Sequence, residues 1–297
     1  MPRISIDELN RIEKMVRDEF NNVFRDTPTT YQLFTSEIQD SENLTVFEWI
    51  GQIPSLMEWI GPRTIESLKS YDYTIRKRAW SIGIKVLYKK AFDRSGTKLS
   101  QMLKQRVNEV GTGFRSQYPA NVVFDLLELG ESELAFDGIP FFSDISGVRL
   151  FKNLFTGSGV DTAEHILTDI ATLRPAMARY PNDQGRALNI IPDLILCPPE
   201  ALGKFEEAVG IAMRSGSNNP AYGRYEVISD ARLADAGDWY FSSTKQGMKP
   251  LLFVESQGPT VATRDNTFTD KSVDVGVDSE GNAGFGFPQL MAKVVNA

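Results

Sequence analysis

An α+β chain is what this sequence predicts, and three stretches carry that reading. Leu99, Leu103, Val107, Val110 and Phe114 recur at spacings of three and four, one buried helix face. Between residues 73 and 90, Trp80, Ile82, Ile84, Val86 and Tyr88 alternate with Ala79, Ser81, Gly83, Lys85 and Leu87, the period of a strand. The stretches Ile190 to Cys197 and Leu251 to Glu255 have the length of buried strands.

In chain order, residues 5–25 predict an amphipathic helix on Leu9, Ile12, Val16, Phe20, Val23 and Phe24, capped by Ser5 or Asp7 and ended by Thr27-Pro28. Residues 31–48 are mixed and polar. From Trp49 to Arg63 two Trp-Ile-Gly units flank Ile53-Pro54-Ser55-Leu56-Met57, large apolar anchors with turn-permitting glycines. The alternating stretch carries Arg76, Lys77, Arg78, Lys85, Lys89 and Lys90. Its apolar face needs cover, because an isolated hairpin is marginal in water.

The long helix, residues 97–129, takes Ser95 or Thr97 as its cap. Gly111 and Gly113 weaken it by about 1 kcal/mol each, and Pro119 is expected to interrupt or kink it. Residues 161–181 predict a helix with a capping box of Asp161 and Glu164 and with Pro175 late in it. After the strand ending at Cys197, Pro199-Glu200 starts a helix, Ala201 to Met213. Short strands follow at Tyr225 to Ile228, Trp239 to Ser242, Leu251 to Glu255 and Ser272 to Val277. Asp278 to Asn282 is expected to turn the chain into Ala283 to Phe287.

The chain has 297 residues, 41% hydrophobic and 24% charged, which is ordinary globular composition. A formal net charge of -7 argues against a protein that coats nucleic acid. One cysteine excludes an intrachain disulfide, and Cys197 reads as a buried strand residue. The first residues lack the apolar segment of a secretory leader, and no apolar run approaches the ~20 residues that span a bilayer.

The search for catalytic chemistry yields little. The sole histidine, His165, cannot supply a usual zinc set, and a His165–Cys197 pair falls in segments that read as packing. Gly157-Ser158-Gly159 lacks the following Lys-Ser or Lys-Thr of a phosphate loop. Gly281, Gly284 and Gly286 suit a turn and closely approaching backbones rather than a dinucleotide fingerprint. Glu206-Glu207 reads as a solvated helix face. Asp137-Gly138 fits a type I′ turn. Asp274, Asp278 and Glu280 read as hairpin acids before they read as a calcium set, and Asp270 beside Asp274 shows no convergence. The expectation is no catalytic, cofactor or metal residue.

Six blocks in one order carry a resemblance: Trp49 to Arg63; Tyr73-Thr74-Ile75; Phe136-Asp137-Gly138 with Phe141-Phe142; Asn218-Asn219-Pro220 with Tyr222-Gly223; Lys249 to Phe253; and Gly276-Val277-Asp278 to Gly284-Phe285-Gly286-Phe287. Over roughly residues 45–295 the chain resembles the major head subunit of Mu-like phages and prophages, shell proteins of the Hong Kong 97 capsid fold. That resemblance implies an N-terminal arm (1–46), a peripheral domain (47–72, 96–181 with the spine helix, and 246–297), an extended β loop (73–95) and an axial domain (182–245). The family's Phe-Asp-Gly block is commonly followed by Asp-His; Phe142-Ser143-Asp144-Ile145-Ser146 has no histidine, so no metal or proton-linked role carries over.

The implied role is a major capsid protein that assembles through pentamers and hexamers into the icosahedral head around a tailed phage's double-stranded DNA. The expected location is the virion, after assembly in the host bacterial cytoplasm. Portal, scaffold, maturation protease and a decoration protein are the implied partners, with non-specific proximity to packaged DNA and no membrane. Phe20 and Phe24 in the arm, and Arg76, Lys77, Arg78, Trp80 and Lys85 in the loop, are the expected intersubunit contacts. The rival readings are an encapsulin-type compartment shell and a cytoplasmic hydrolase using carboxylates.

Overall fold

The computed structural model describes residues 6–50, 70–87, 100–144, 149–182, 185–214, 216–256, 258–266 and 272–296. Ser5, Trp59, Lys89, Lys90, Ser95, Thr97 and Asp270 lie outside the described residues, as does the Trp49–Arg63 block beyond the backbone of Trp49 and Ile50.

Helix α1 (Ile6–Asp26) turns Ile12, Val16 and Phe20 inward. The Thr27 hydroxyl donates to Val23 O at its end. Strands β1 (Thr35–Gln39), β2 (Leu44–Ile50), β3 (Ser70–Arg76) and β4 (Arg78–Leu87) follow. The alternating residues Ala79 to Leu87 all lie on β4, whereas residues 73–76 belong to β3, parted from it by Lys77. β3 pairs antiparallel with β2, from Leu44↔Arg76 to Ile50↔Ser70. β4 leaves for a different sheet.

Helix α2 (Gln101–Glu128) has 28 residues, about 42 Å at 1.5 Å per residue. Ser100 caps it, its Oγ accepting from Leu103 N at 3.2 Å. Leu103, Val107 and Phe114 are buried, as their spacing predicts. Pro119 does not end the helix: Tyr118, Val122, Val123, Phe124 and Leu127 carry the buried face on. Pro119 has no N–H to offer the Arg115 carbonyl, and Arg232 donates to the next carbonyl, Ser116 O, at 2.6 Å. Gly111 admits α1, since a Cβ there would stand 3.1 Å from Val23 Cγ1.

Next come β5 (Leu154–Thr156), α3 (Ala163–Ala178), β6 (Leu194–Cys197) and α4 (Leu202–Gly210). Thr162, not Asp161, caps α3, accepting from His165 N at 3.3 Å. Pro175 lies within α3. α4 stops at Gly210 rather than Met213, because Ile211 is already extended and the hairpin of β7 (Met213–Arg214) and β8 (Ser217–Asn218) begins. The remaining strands are β9 (Glu226–Ser229), β10 (Trp239–Ser242), β11 (Leu251–Glu255), β12 (Thr260–Asn266), β13 (Ser272–Phe285) and β14 (Met291–Val295).

One sheet is built around β13, which is a single 14-residue strand with no turn at Asp278 to Asn282. β4 pairs along one edge, from Leu87↔Ser272 to Arg78↔Gly281. β12 and then β11 occupy the other edge, and β1 joins β11 in parallel. Gly281 and Gly284 serve close approach rather than a turn: a Cβ at 281 would collide with Tyr118 Oη and Val254 O, and one at 284 with Ile75 and Tyr73.

The second sheet runs β5-β14-β10-β6-β9. It separates the two large cores. Ile195, Cys197, Trp239, Phe241, Ala292 and Val294 face α3 and α4. Leu194, Leu196, Tyr240 and Met291, from the opposite face, join the core containing α1 and α2. Burial on both faces explains why β6 is an unbroken apolar run. This sheet draws β5 and β14 from outside residues 182–245, so its strands cross the boundaries that the sequence suggests.

Candidate assembly surface

The β2–β3 ribbon has two unlike faces. Thr45, Phe47, Tyr73 and Ile75 turn toward the β11 and β13 side, and Tyr73 Oη accepts from Phe285 N at 3.0 Å. Leu44 and Val46, 46% and 50% exposed, turn outward beside Thr74 and Arg76. Such a face gains most from burial against further protein.

At the corner between β3 and β4, Lys77 is only 5% exposed. Its Nζ donates to Asp40 O and Glu42 O and lies 4.0 Å from Asp40 Oδ2. The Thr45 hydroxyl and the Glu42 N–H hold the Asp40 carboxyl below its usual range, and Lys77 adds to this. The sequence offers Lys77 as a contact with a neighbour, but the fold uses it inside its own chain, tying the ribbon's base to the β1–β2 loop.

Phe20 is corrected in the same way. It is 1% exposed, with its ring centroid 5.6 Å from Phe24 and 6.2 Å from Phe114. α1 lies against α2 and β12 of the same chain. Phe24 is half-buried, with the Arg115 guanidinium 4.7 Å above its ring.

Arg76 and Arg78 are exposed, and Lys85 is exposed on β4 opposite Asp274. Trp80 is half-buried: its indole N–H donates to Gly281 O at 3.1 Å, and its ring lies 5.7 Å from Tyr118. Beside it a cleft of about 390 Å³ opens between α2 and β4, lined by Trp80, Ile82, Phe114, Tyr118, Val122 and Asp125. A second hollow, about 250 Å³, shares Trp80, Val122 and Asp125 and ends at Arg76, Arg78 and Glu133. Three of the seven residues singled out from the sequence, Arg76, Arg78 and Trp80, thus meet at one surface.

Groups with catalytic potential are committed elsewhere. His165 Nδ1 pairs with Asp161 Oδ1 at 2.8 Å on an exposed helix start. Cys197 is fully buried, and burial pushes its thiol up to about 12. Asp137 holds Arg149, and Gly138 alone in that turn has positive φ, so the turn is not type I′. The Ser158 N–H and hydroxyl both donate to Asp169. Glu37 and Glu255 approach each other, but Tyr31 Oη donates to the first and Ser279 Oγ to the second. Among the described residues no three His, Cys, Asp or Glu side chains gather as metal donors.

One polar cluster escaped the sequence reading. Lys293, on β14, lies 2.6 Å from Glu131 Oε1 and 2.9 Å from Asp238 Oδ2. Three residues so far apart in the chain leave no sequence signal.

Comparison with known proteins sets this geometry in a family. The family described as Mu-like prophage major head subunit gpT matches residues 9–154, and the family described as phage capsid protein matches residues 92–294. The Mu-like prophage FluMu major head subunit of Haemophilus influenzae is 21% identical over 281 residues, 91% of this chain and 69% of that protein. The major capsid protein of Escherichia phage Mu is 27% identical over 154 residues, 52% of this chain and 48% of that protein. Among solved structures, the procapsid of bacteriophage JBD30 matches with a TM-score of 0.54 at 21% identity, over 98% of this chain and 75% of that one. The fold is accordingly the Hong Kong 97-type fold of phage capsid proteins. The holo-SrpI encapsulin complex of Synechococcus elongatus shares it at a TM-score of 0.52 and 11% identity, over 91% of this chain and 88% of that one.

Proposed function

This chain belongs to the phage capsid protein family, and we propose that it is the major head subunit of a Mu-like tailed phage or prophage. Its copies associate into pentamers and hexamers, and these close into an icosahedral shell around double-stranded DNA. The carrying observation is the pair of overlapping family matches, which together run from residue 9 to residue 294.

The surface described above supports this role. The outward face of the β2–β3 ribbon borders, through Thr74 and Arg76, the hollow that holds Trp80, and so offers a neighbouring copy one continuous surface for the contacts that close rings. We assign the ribbon, rather than residues 73–95, as the extended loop. Leu44, Val46, Arg76, Arg78, Trp80, Lys85 and Phe24 are our candidate intersubunit contacts. Each modest interface contributes about 25 cal/mol per Å² of apolar burial, less ordering costs. Many made together give the avidity of a closed shell.

A net charge of -7 suits a container of DNA, because it limits adhesion to the phosphates. Portal, scaffold, maturation protease and a decoration protein complete the proposal, in a virion assembled in the bacterial cytoplasm. No enzymatic role is proposed. The encapsulin reading shares the fold, but the head-subunit matches favour the phage shell.

The test is sedimentation and electron microscopy of the chain co-expressed with its scaffold and protease. Closed, empty icosahedral particles are expected. Particles containing a defined protein cargo establish the encapsulin reading, and monomers that persist under these conditions overturn both.

A further inference from the structure

Three register pairs follow one another on the outward face of the β2–β3 ribbon, from its base outward: Leu44 with Arg76, Val46 with Thr74 and Glu48 with Asp72. The third is a pair of acids, and like charges directly opposite one another weaken a ribbon. The cation on the same face of β3, Arg76, lies four residues back, about 13 Å at 3.3 Å per residue. At that distance salt screens most of the attraction between exposed charges. Asp72 is exposed and has no ion-pair partner among the described residues.

The ribbon's base carries the opposite charge. Arg76 and Arg78 flank the buried Lys77, and both are exposed. They line one hollow with Trp80, Leu126 and Leu129, the last 49% exposed. Asp125, on α2, and Glu133, just beyond it, border the same hollow. Even so, neither arginine forms an ion pair with a described residue. Lys77 is different, being held by the β1–β2 loop of its own chain. One surface thus has an acid pair at one end, two uncommitted cations at the other, and apolar side chains beside each.

We propose that the Glu48–Asp72 pair of one copy docks on the Arg76–Arg78 pair of the next, with the exposed Leu44 and Val46 laid toward Trp80, Leu126 and Leu129. This names the partner of the assembly surface and rests on the capsid reading. Two carboxylates side by side on one ribbon face match two cations set two residues apart, on either side of a lysine that is turned inward. Because both ends belong to one continuous surface, every copy gives with its ribbon and receives at its base, a head-to-tail contact that propagates around a ring. Asp125 and Glu133 repel the incoming acids, so charge fixes the register of the contact more than it strengthens it.

The experiment is a charge swap in the full chain, read as particle and ring yield by sedimentation, with thermal melts to confirm folding. Glu48→Lys with Asp72→Lys keeps two like charges opposite each other, so only the sign offered to a neighbour changes. That double variant, and Arg76→Glu with Arg78→Glu, should each lower the yield by about tenfold or more. All four substitutions in one chain should bring it back to within about threefold of wild type. Co-expressing the two double variants should give mixed even-membered rings, since alternation sets every ribbon against a base of opposite charge. That rescue separates contacts between copies from any within one. Glu133→Gln, which removes a repelling acid, should assemble at higher salt than wild type. Wild-type particles together with reversals that neither the fourfold chain nor the mixture rescues overturn this contact alone, as does a Glu133→Gln chain that assembles less well. A wild-type chain that stays monomeric overturns the capsid role and this contact with it.

Discussion

Arg149 clasps Asp137 through two parallel hydrogen bonds, Nε to Oδ2 and Nη2 to Oδ1, each 2.8 Å long. Its Nη1 also donates to Phe141 O at 2.8 Å, and Asn153 donates to the same carbonyl. This clasp fixes the loop that follows α2, with Phe141 stacked 4.5 Å from Phe285. Arg149→Met should cost about 2–4 kcal/mol, because it leaves a partly buried carboxylate and a carbonyl short of donors. Arg149→Lys should recover only part, since a lysine cannot form the fork. Urea denaturation measures both.

Gly281 and Gly284 should differ when changed to alanine. At 281 the new methyl meets Val254 O at 2.7 Å, a backbone atom that cannot step aside. At 284 its nearest neighbour is the tip of Ile75, which can rotate. Gly281→Ala should cost about 1–3 kcal/mol, and Gly284→Ala less. Thermal unfolding of the two variants tests the order.

Cys197 should resist thiol reagents at pH 8 in the native chain and react quantitatively in guanidinium. With the folded thiol pushed up to about 12, the unfolded chain ionises first as pH rises. Stability linked to this group is therefore complete below about pH 8.5 and is lost above it, by at most about 1.4 kcal/mol per pH unit. Comparison with Cys197→Ala isolates this contribution, and a native thiol that titrates near 8.5 would contradict the burial argument.

Reversing Arg76 and Arg78 together to glutamate should leave the melting temperature close to wild type, because both side chains are exposed. Particle formation should fall sharply and depend on salt, as surface charge pairs do. Trp80→Ala should impair both folding and assembly, since the indole also bonds Gly281 O. Analytical ultracentrifugation beside thermal melts separates the two effects.

Local spacing predicted the helices well. Leu103, Val107 and Phe114 revealed the buried face of α2, and Ile12, Val16 and Phe20 that of α1. The same local reading misplaced what depends on distant partners. Pro119 looks like a break, because its neighbours give no sign of the burial of Val122, Val123, Phe124 and Leu127 that keeps the helix going beyond it. Asp278 to Asn282 looks like a turn, because nothing nearby announces that β4 and β11 hold it straight. Phe20 reads as an outward anchor because hydrophobic periodicity marks a sticky face without saying which surface it meets. Lys77 likewise stands in a basic row, yet among the described residues of that row it alone is buried.

The long ladder between β4 and β13 has a mechanical consequence. β4 follows the ribbon's second strand with only Lys77 between them, so a tug on the ribbon passes through that one residue into the sheet. There the ten residue pairs from Arg78 to Leu87 take up the load. Whatever grips the ribbon thus pulls, beyond β3, on the longest seam among the described strands, and the shorter β2–β3 pairing should yield first.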